Sequence, residues 1–227
     1  MLGKRYVIVV AGGRGARFGG AEPKQLLLLS GKPVLLHAME RFFAFDGALR
    51  MVLALPEALW ERWRSAAQRY AVAMPHTLVA GGETRFHSVR NALKTIAGDG
   101  LVAVHDGVRP LVSRNTIAAC FEAAERAGAA IPVTPLTDSI RQRKPNGDSL
   151  AVNREAFCAV QTPQVFRLSL LREAYEQDFC EDFTDDASVV ERAGYKVALV
   201  AGNPENIKIT RPVDLIVAKA MAERVES

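Results

Sequence analysis

Tyr6–Gln25 reads YVIVVAGGRGARFGGAEPKQ. Tyr6–Val10 is apolar throughout, the pattern of a strand covered on both faces. The glycine-rich stretch Ala11–Gln25 follows at once. In an open parallel sheet, ligands bind beyond the carboxyl ends of the strands, so this loop lies where a site belongs. Glycines let a backbone approach a phosphate closely and offer N–H groups with no side chain in the way. No G-K-[ST] follows at the spacing of a Walker loop. From Gly13 the residues run G-R-G-A-R-F, with Phe18 where a dinucleotide-binding turn has its third glycine. The loop instead carries two cations, Arg17 and Lys24. A dinucleotide turn relies mainly on a helix N-terminus for its pyrophosphate. Two fixed cations with backbone donors suit a triphosphate, above all one whose bond is being broken.

Outward from this loop, short β-branched runs alternate with helical patterns. Strands are expected at Arg50–Leu55, Thr77–Ala80, Leu101–His105, Ala129–Val133, Cys158–Gln161 and Tyr195–Val200. Helices are expected near 34–43, 57–70 and 85–96, and from a Ser113 cap to Ala127 with Gly128 as the stop. Ser169 is read as the cap of a helix of about ten residues. Thr184, Asp185 and Asp186 open another, and Thr210 caps the last, with Pro212 tolerated in its first turn. Strands alternating with helices mean parallel crossovers, hence an α/β fold with a mostly parallel, three-layer α/β/α arrangement. Thr134–Asn153 breaks the rhythm: it has no helical stripe, and Asn146-Gly147 is a hairpin signal between two extended arms. A lone ribbon is marginal in water. Residues 134–153 are therefore read as a β-arm that leaves the sheet and packs on something else, most economically a second copy of the chain, with a mobile surface loop as the alternative.

The 227 residues are read as one domain, 1–227, with that arm inserted. Hydrophobic residues at 49% and charged ones at 24% are ordinary for a globular chain and exclude a fibre or disorder. Twenty-nine cations against 25 anions give a net charge of +4, enough to suit an anionic small molecule but not to announce nucleic acid. Cys120, Cys158 and Cys180 are scattered and lack C-x-x-C spacing, which argues against a disulfide framework or zinc site and fits a reducing cytoplasm. No apolar stretch approaches the length of a membrane helix, roughly 18 residues. Neither nucleic acid nor membrane is expected as a partner.

The strand, then A-G-G-x-G-x-R-F, then P-K-Q, resembles nucleotidyltransferases that join a sugar or polyol phosphate to a nucleotide. Later segments make the resemblance closest to the methylerythritol-phosphate cytidylyltransferase family of isoprenoid precursor synthesis, from Tyr6 to about Leu215. Gly81-Gly82-Glu83-Thr84-Arg85 with Ser88 is similar to that family's base-and-ribose segment. His105-Asp106-Gly107-Val108-Arg109-Pro110 stands where the fold holds its metal; the family more often has alanine at the position of Gly107. His105 itself is read as structural rather than as a ligand. Asp138-Ser139-Ile140-Arg141 lies on the arm, with Ser139 where the family usually has threonine. Gln161-Thr162-Pro163-Gln164, Thr184-Asp185-Asp186-Ala187-Ser188 and Asn206-Ile207-Lys208-Ile209-Thr210 complete the set.

The resemblance implies a Rossmann-like nucleotidyltransferase fold, CTP and a polyol phosphate as substrates, Mg²⁺ or another divalent cation, and a homodimer joined through the arm. It further implies that Arg17 and Lys24 stabilise the transition state and that Arg154 and Lys208 hold the attacking phosphate. Ala11, Gly12, Gly13, Gly15, Gly82, Ser88, Asp106 and Gly107 would surround the nucleotide, with Asp106 serving the metal. Arg109, Ser139, Arg154, Thr162 and Thr184 would meet the second substrate, Ser139 and Arg154 across the dimer interface. The implied chemistry needs no general base, in keeping with a sequence that shows no triad, paired carboxylates or histidine cluster. A phosphate monoester, with a second pKa of roughly 6, is already mostly a dianion at neutral pH. Three rivals differ in class or substrate: a ribitol 5-phosphate cytidylyltransferase, a nicotinamide-dependent oxidoreductase, and a non-catalytic nucleotide or RNA-binding module. The oxidoreductase lacks its third glycine, and the RNA module lacks the aromatic-studded basic strands it needs.

Overall fold

A computed structural model describes residues 3–12 and 23–225. Twelve strands are described: β1 (Arg5–Val10), β2 (Leu28–Leu29), β3 (Lys32–Pro33), β4 (Arg50–Leu55), β5 (His76–Ala80), β6 (Leu101–Asp106), β7 (Ala129–Pro135), β8 (Arg141–Arg143), β9 (Ser149–Ala151), β10 (Cys158–Val160), β11 (Gln164–Arg167) and β12 (Ala198–Ala201). The helices are α1 (Val34–Phe45), α2 (Trp60–Arg69), α3 (Arg85–Leu93), α4 (Arg114–Ala127), α5 (Leu168–Ala174), α6 (Asp186–Arg192) and α7 (Pro212–Val225).

The main sheet runs β10-β7-β11-β6-β1-β4-β5, with β12 also on β7. β1 pairs in parallel with β4 and β6, β4 with β5, and β12 with β7. The apolar run of β1 is explained by its two neighbouring layers. Val7 and Val9 face Leu35, Met39, Phe42, Trp63 and Phe121 on one side. Tyr6, Ile8 and Val10 face Phe86, Val89, Leu171 and Val190 on the other. This is the expected three-layer α/β/α fold. A third cluster, Leu29, Val34, Val108, Leu111, Ile209 and Ala218, seats α7 beside the β2–β3 hairpin.

Ser113 caps α4 as expected, accepting from Thr116 N, and Gly128 ends it at φ 90°. Other boundaries differ from the sequence expectations, each for a local reason. The sheet is mixed, because the unexpected β11 inserts antiparallel between β6 and β7. Ser169 lies inside α5 and not at its cap: the chain passes straight from β11 into the helix, with Arg167 at the N-cap and Leu168 N bound to Gly100 O at 2.9 Å. The last sheet strand starts at Ala198 rather than Tyr195, because Gly194 at φ 89° and the bond from Tyr195 N to Val190 O still belong to the end of α6. Thr210 donates to Asp214 Oδ2 through both N and Oγ1 at 2.7 Å, so Asp214 in the first turn, not Thr210, closes the start of α7. α3 ends at Leu93, three residues short of the expected Ile96.

The arm has the expected form. Among the described residues β8 and β9 pair only with each other, and all their residues are exposed. Their turn carries Gly147 at φ 88°, with Lys144 N on Asp148 O at 2.8 Å. Leu150, Phe157 and Val160 expose apolar surface on the arm and just beyond it.

Candidate active site

The carboxyl ends of β1, β4, β5 and β6 open onto a cleft of about 740 Å³, lined among others by Gly12, Lys24, Gly82, Ser88, Asp106 and Lys208. Register places the last residue of β1, Val10, beside Asp106 at the end of β6. Gly107 N on Val10 O at 2.9 Å continues that pairing. A Cβ at Gly107 would lie 2.8 Å from Leu35 Cδ1 and 3.2 Å from Ala11 Cβ, so the turn is tight here. Gly13, Gly15 and Arg17 lie outside the described residues. Ala11 and Gly12 precede them, and Lys24 follows in a short 3₁₀ turn, Lys24–Leu26. Lys24, expected at the transition state, and Lys208, expected on the attacking phosphate, line the same cleft.

The far wall is the turn before α3. Gly82 N donates to Ser88 Oγ at 2.9 Å, and that hydroxyl donates to Thr84 O at 3.0 Å. Ser88 thus spends its proton on holding the turn, leaving a ligand only a lone pair. Gly82 has no room for a side chain, since a Cβ would stand 2.4 Å from His87 Cβ. Its backbone is presented bare.

Asp106 sits at the centre of three cations: Lys208 Nζ at 3.0 Å, Arg109 Nε at 3.3 Å and Arg85 Nε at 3.4 Å. Burial works against its charge, but Arg85, Lys208 and Arg109 outweigh that and hold the carboxyl well below the usual range. Lys208 is aimed by its neighbours. Ile209 is buried with its N on Val108 O at 2.9 Å, and Asn206 Nδ2 donates to Thr162 O at 2.8 Å. Arg109 is fixed in turn by Nη1 on Asn206 O at 2.7 Å.

A second, smaller cavity of about 270 Å³ adjoins the first and shares Arg85, Asp106 and Lys208 with it. Arg109, Thr162, Gln164, Thr184 and Asp185 are among the other residues of its wall. Asp185, not Thr184, caps α6, exchanging bonds with Ser188 in a capping box. Gln164 clamps that cap to β11, donating to Asp185 Oδ2 at 2.7 Å and accepting from Ala187 N at 2.9 Å. Ser139 and Arg154 line neither cavity, and the Arg154 guanidinium bonds to Thr137 O at the base of the arm.

His105 is structural, as read. Its Nε2 lies 3.0 Å from Arg109 O, an acceptor only, so Nε2 carries the proton and Nδ1 accepts from Thr162 Oγ1 at 3.0 Å. Thr162 Oγ1 in turn accepts from Asp106 N at 3.1 Å. The Thr162 hydroxyl is therefore committed on both sides to placing Asp106. Burial pushes His105 from its usual 6.5 down to about 4. The unfolded chain binds this proton below about 6.5 and the native state only below about 4, so stability is full above that window and falls as pH drops through it. The loss amounts to about 3 kcal/mol. Denaturant unfolding from about pH 7 to about pH 4 should show this slope in the wild type and a flatter one in His105→Gln. Equal slopes would refute the assignment.

Sequence reasoning places Arg85 in the base-and-ribose segment and Asp186 at a helix start, but not the contact between them. Arg85 opens α3, where the helix dipole disfavours a cation, and that misfit is the available signal of an anionic partner. Asp186 is fully buried and reaches Arg85 Nη2 at 2.6 Å.

Comparison with known proteins agrees with this geometry. The family model described as IspD, 2-C-methyl-D-erythritol 4-phosphate cytidylyltransferase, matches residues 6–224. A protein of that name from Phocaeicola vulgatus is 50% identical over 218 residues, covering 96% of this chain and 99% of its own. Another, from Porphyromonas gingivalis, is 51% identical over 219 residues, covering 96% and 97%. The crystal structure of the Thermus thermophilus enzyme of the same name superposes with a TM-score of 0.75 at 34% identity, covering 98% of this chain and 100% of the other. That of 4-diphosphocytidyl-2C-methyl-D-erythritol synthase from Anaerococcus prevotii reaches 0.83 at 26% identity, covering 98% and 99%. With a cation-lined cleft at the strand ends and a likeness running the length of the chain, the protein belongs to the 2-C-methyl-D-erythritol 4-phosphate cytidylyltransferase family.

Proposed function

We propose that this chain transfers the cytidylyl group of CTP to 2-C-methyl-D-erythritol 4-phosphate, giving 4-diphosphocytidyl-2-C-methyl-D-erythritol and pyrophosphate. Family membership supports the reaction. The observation that carries the site is the junction of two cavities at Arg85, Asp106 and Lys208, a large one for a nucleotide and a small one for a phosphorylated polyol. Bond formation belongs at that junction.

An oxygen of the methylerythritol phosphate attacks the α-phosphorus of CTP, and the bond from that phosphorus to the bridging oxygen of the β-phosphate breaks. No proton need be removed, because the nucleophile is already a dianion. The task is to bring two polyanions into line and to stabilise charge as pyrophosphate leaves. Lys24 stabilises the leaving charge, a role the family resemblance also gives Arg17, while Lys208 and Arg109 draw the attacking phosphate toward the shared wall. Gly82 and Ser88 form the base-side wall, and Thr184 meets the polyol.

Asp106 fits Mg²⁺ in one way only. Three cations within 3.4 Å make it a poor anchor by itself. Mg²⁺ commonly keeps waters and takes one or two carboxylates plus substrate phosphates, so a single carboxylate facing a triphosphate cleft suits an ion that CTP brings. When bound, the ion would neutralise charge on the triphosphate and the departing pyrophosphate.

Residues 134–153 are read as an insertion in one nucleotidyltransferase domain, with the arm reaching a second copy so that Ser139 and Arg154 complete its small cavity. The exposed Leu150, Phe157 and Val160 support that reading. No described helix is long and apolar enough to cross a membrane, and we place the enzyme in the cytoplasm. Pyrophosphate release from CTP should require both methylerythritol phosphate and Mg²⁺. Equal or faster release with ribitol 5-phosphate, or none with either, would overturn the assignment.

A further inference from the structure

A buried chain of polar contacts runs behind the junction of the two cavities. Tyr175 OH donates to Asp186 Oδ1 at 2.6 Å, Asp186 Oδ2 accepts from Arg85 Nη2 at 2.6 Å, and Arg85 Nε reaches Asp106 Oδ1 at 3.4 Å. Asp186 is fully buried and Tyr175 nearly so. The Tyr175 ring is itself locked, stacked on Phe86 with centroids 4.7 Å apart. Four elements meet here: the end of α5 through Tyr175, α6 through Asp186, α3 through Arg85 and Phe86, and β6 through Asp106.

A buried ion pair is poor value as simple glue, because apolar residues of similar volume often do as well or better. The charges make sense if Arg85 must be held at a set angle. Alone at the start of α3, its guanidinium is repelled by the helix dipole. Facing only Asp106, it would compete with Lys208 and Arg109 for one carboxylate. Asp186 takes Nη2 of the guanidinium while Nε reaches Asp106 Oδ1, and Asp106 Oδ2 is shared by Arg109 and Lys208.

We propose that Asp186, buttressed by Tyr175, is a positioning residue for the transfer reaction, acting through Arg85 on Asp106. The T-D-D-A-S segment thereby serves chemistry through its second aspartate, which touches neither substrate. This rests on the reading that Asp106 lies at the reacting centre. Wild-type protein without cytidylyl transfer would sink that reading, whereas the variants below, set against an active wild type, test only the inference.

Kinetics of Asp186→Asn, Arg85→Lys and the double variant form a cycle that separates a shared path from independent effects. Each single change should lower kcat by about 10–10²-fold, with KM for CTP within about threefold, and the double variant should be no slower than the slower single. Multiplied losses in the double variant, or an Asp186→Asn enzyme with wild-type kcat and only a lowered Tm, would overturn it. If Asp186→Asn does not fold, Tyr175→Phe keeps the ring packing and removes only the hydroxyl. It should cost about 3–10-fold in kcat with circular dichroism unchanged, and wild-type kcat there would overturn the inference equally.

Discussion

Lys24→Ala is expected to lower kcat by about 10²–10³-fold while changing the dissociation constant for CTP by no more than about fivefold. The asymmetry follows from where the charge goes. In the ground state the triphosphate charge is spread over its oxygens, so that no single cation of the cleft that Lys24 and Lys208 line would carry most of the binding. As the α–β bond breaks, charge gathers on the departing pyrophosphate, and a preorganised cation there is worth more than before. CTP titration by calorimetry in the absence of methylerythritol phosphate isolates binding, and single-turnover pyrophosphate release isolates chemistry. Parallel losses in both would mean that Lys24 only holds nucleotide. Lys24→Arg adds a second reading, because it keeps the charge but replaces a point ammonium with a broader fork. It should recover binding fully and turnover only in part.

What the sequence discloses about this molecule is what is local. Tyr6–Val10 names itself a buried strand, and Ser113 and Gly128 bracket α4, because the hydrogen bonds concerned close within a few residues. Asn146-Gly147 is equally legible, since a tight turn depends on its own residues. β11 is not legible. Gln164–Arg167 is four residues long, opens on a polar side chain, and is a strand only because β6 and β7 leave a slot for it. The hydroxyls of Ser169, Thr184 and Thr210 look like caps by residue type, yet Asp185 caps α6, Asp214 closes the start of α7, and α5 begins with no side-chain cap. For α6 and α7, a carboxylate within the same few residues accepts the bonds that composition assigns to a hydroxyl. At the site, motif resemblance finds the cations but not their organisation. The contacts from Arg85 to Asp106 and to Asp186 span 21 and 101 positions, distances over which no periodicity or propensity speaks. By residue type and motif, Ser88 and Thr162 read as groups facing ligand. Both hydroxyls turn out to be spent on backbone or histidine partners, a commitment that only the fold can reveal.

The second large effect concerns the arm. Arg154→Ala should raise KM for methylerythritol phosphate by about 10–10²-fold, in line with the loss of a charge-assisted phosphate contact, although Arg154 lines neither cavity of its own chain. The proposed reading, in which Arg154 completes a partner's site, accounts for that effect, and mixed dimers test it directly. In a dimer of one Lys24→Ala chain and one Arg154→Ala chain, a site assembled across the interface draws Lys24 from the second chain and Arg154 from the first. One site of the two is then intact. Tandem-tag purification of the mixed dimer should yield about half the wild-type rate, although each parent homodimer is defective at subsaturating substrate. Were Arg154 to serve its own chain, both sites of the mixed dimer would carry a lesion, and activity would stay at the parental level. The contrast depends only on which chain lends the arginine. A site shared across an interface would also account for a ribbon whose strands lie wholly in solvent, with Leu150 on it and Phe157 beside its base exposed, keeping a hairpin that no described layer of its own chain supports.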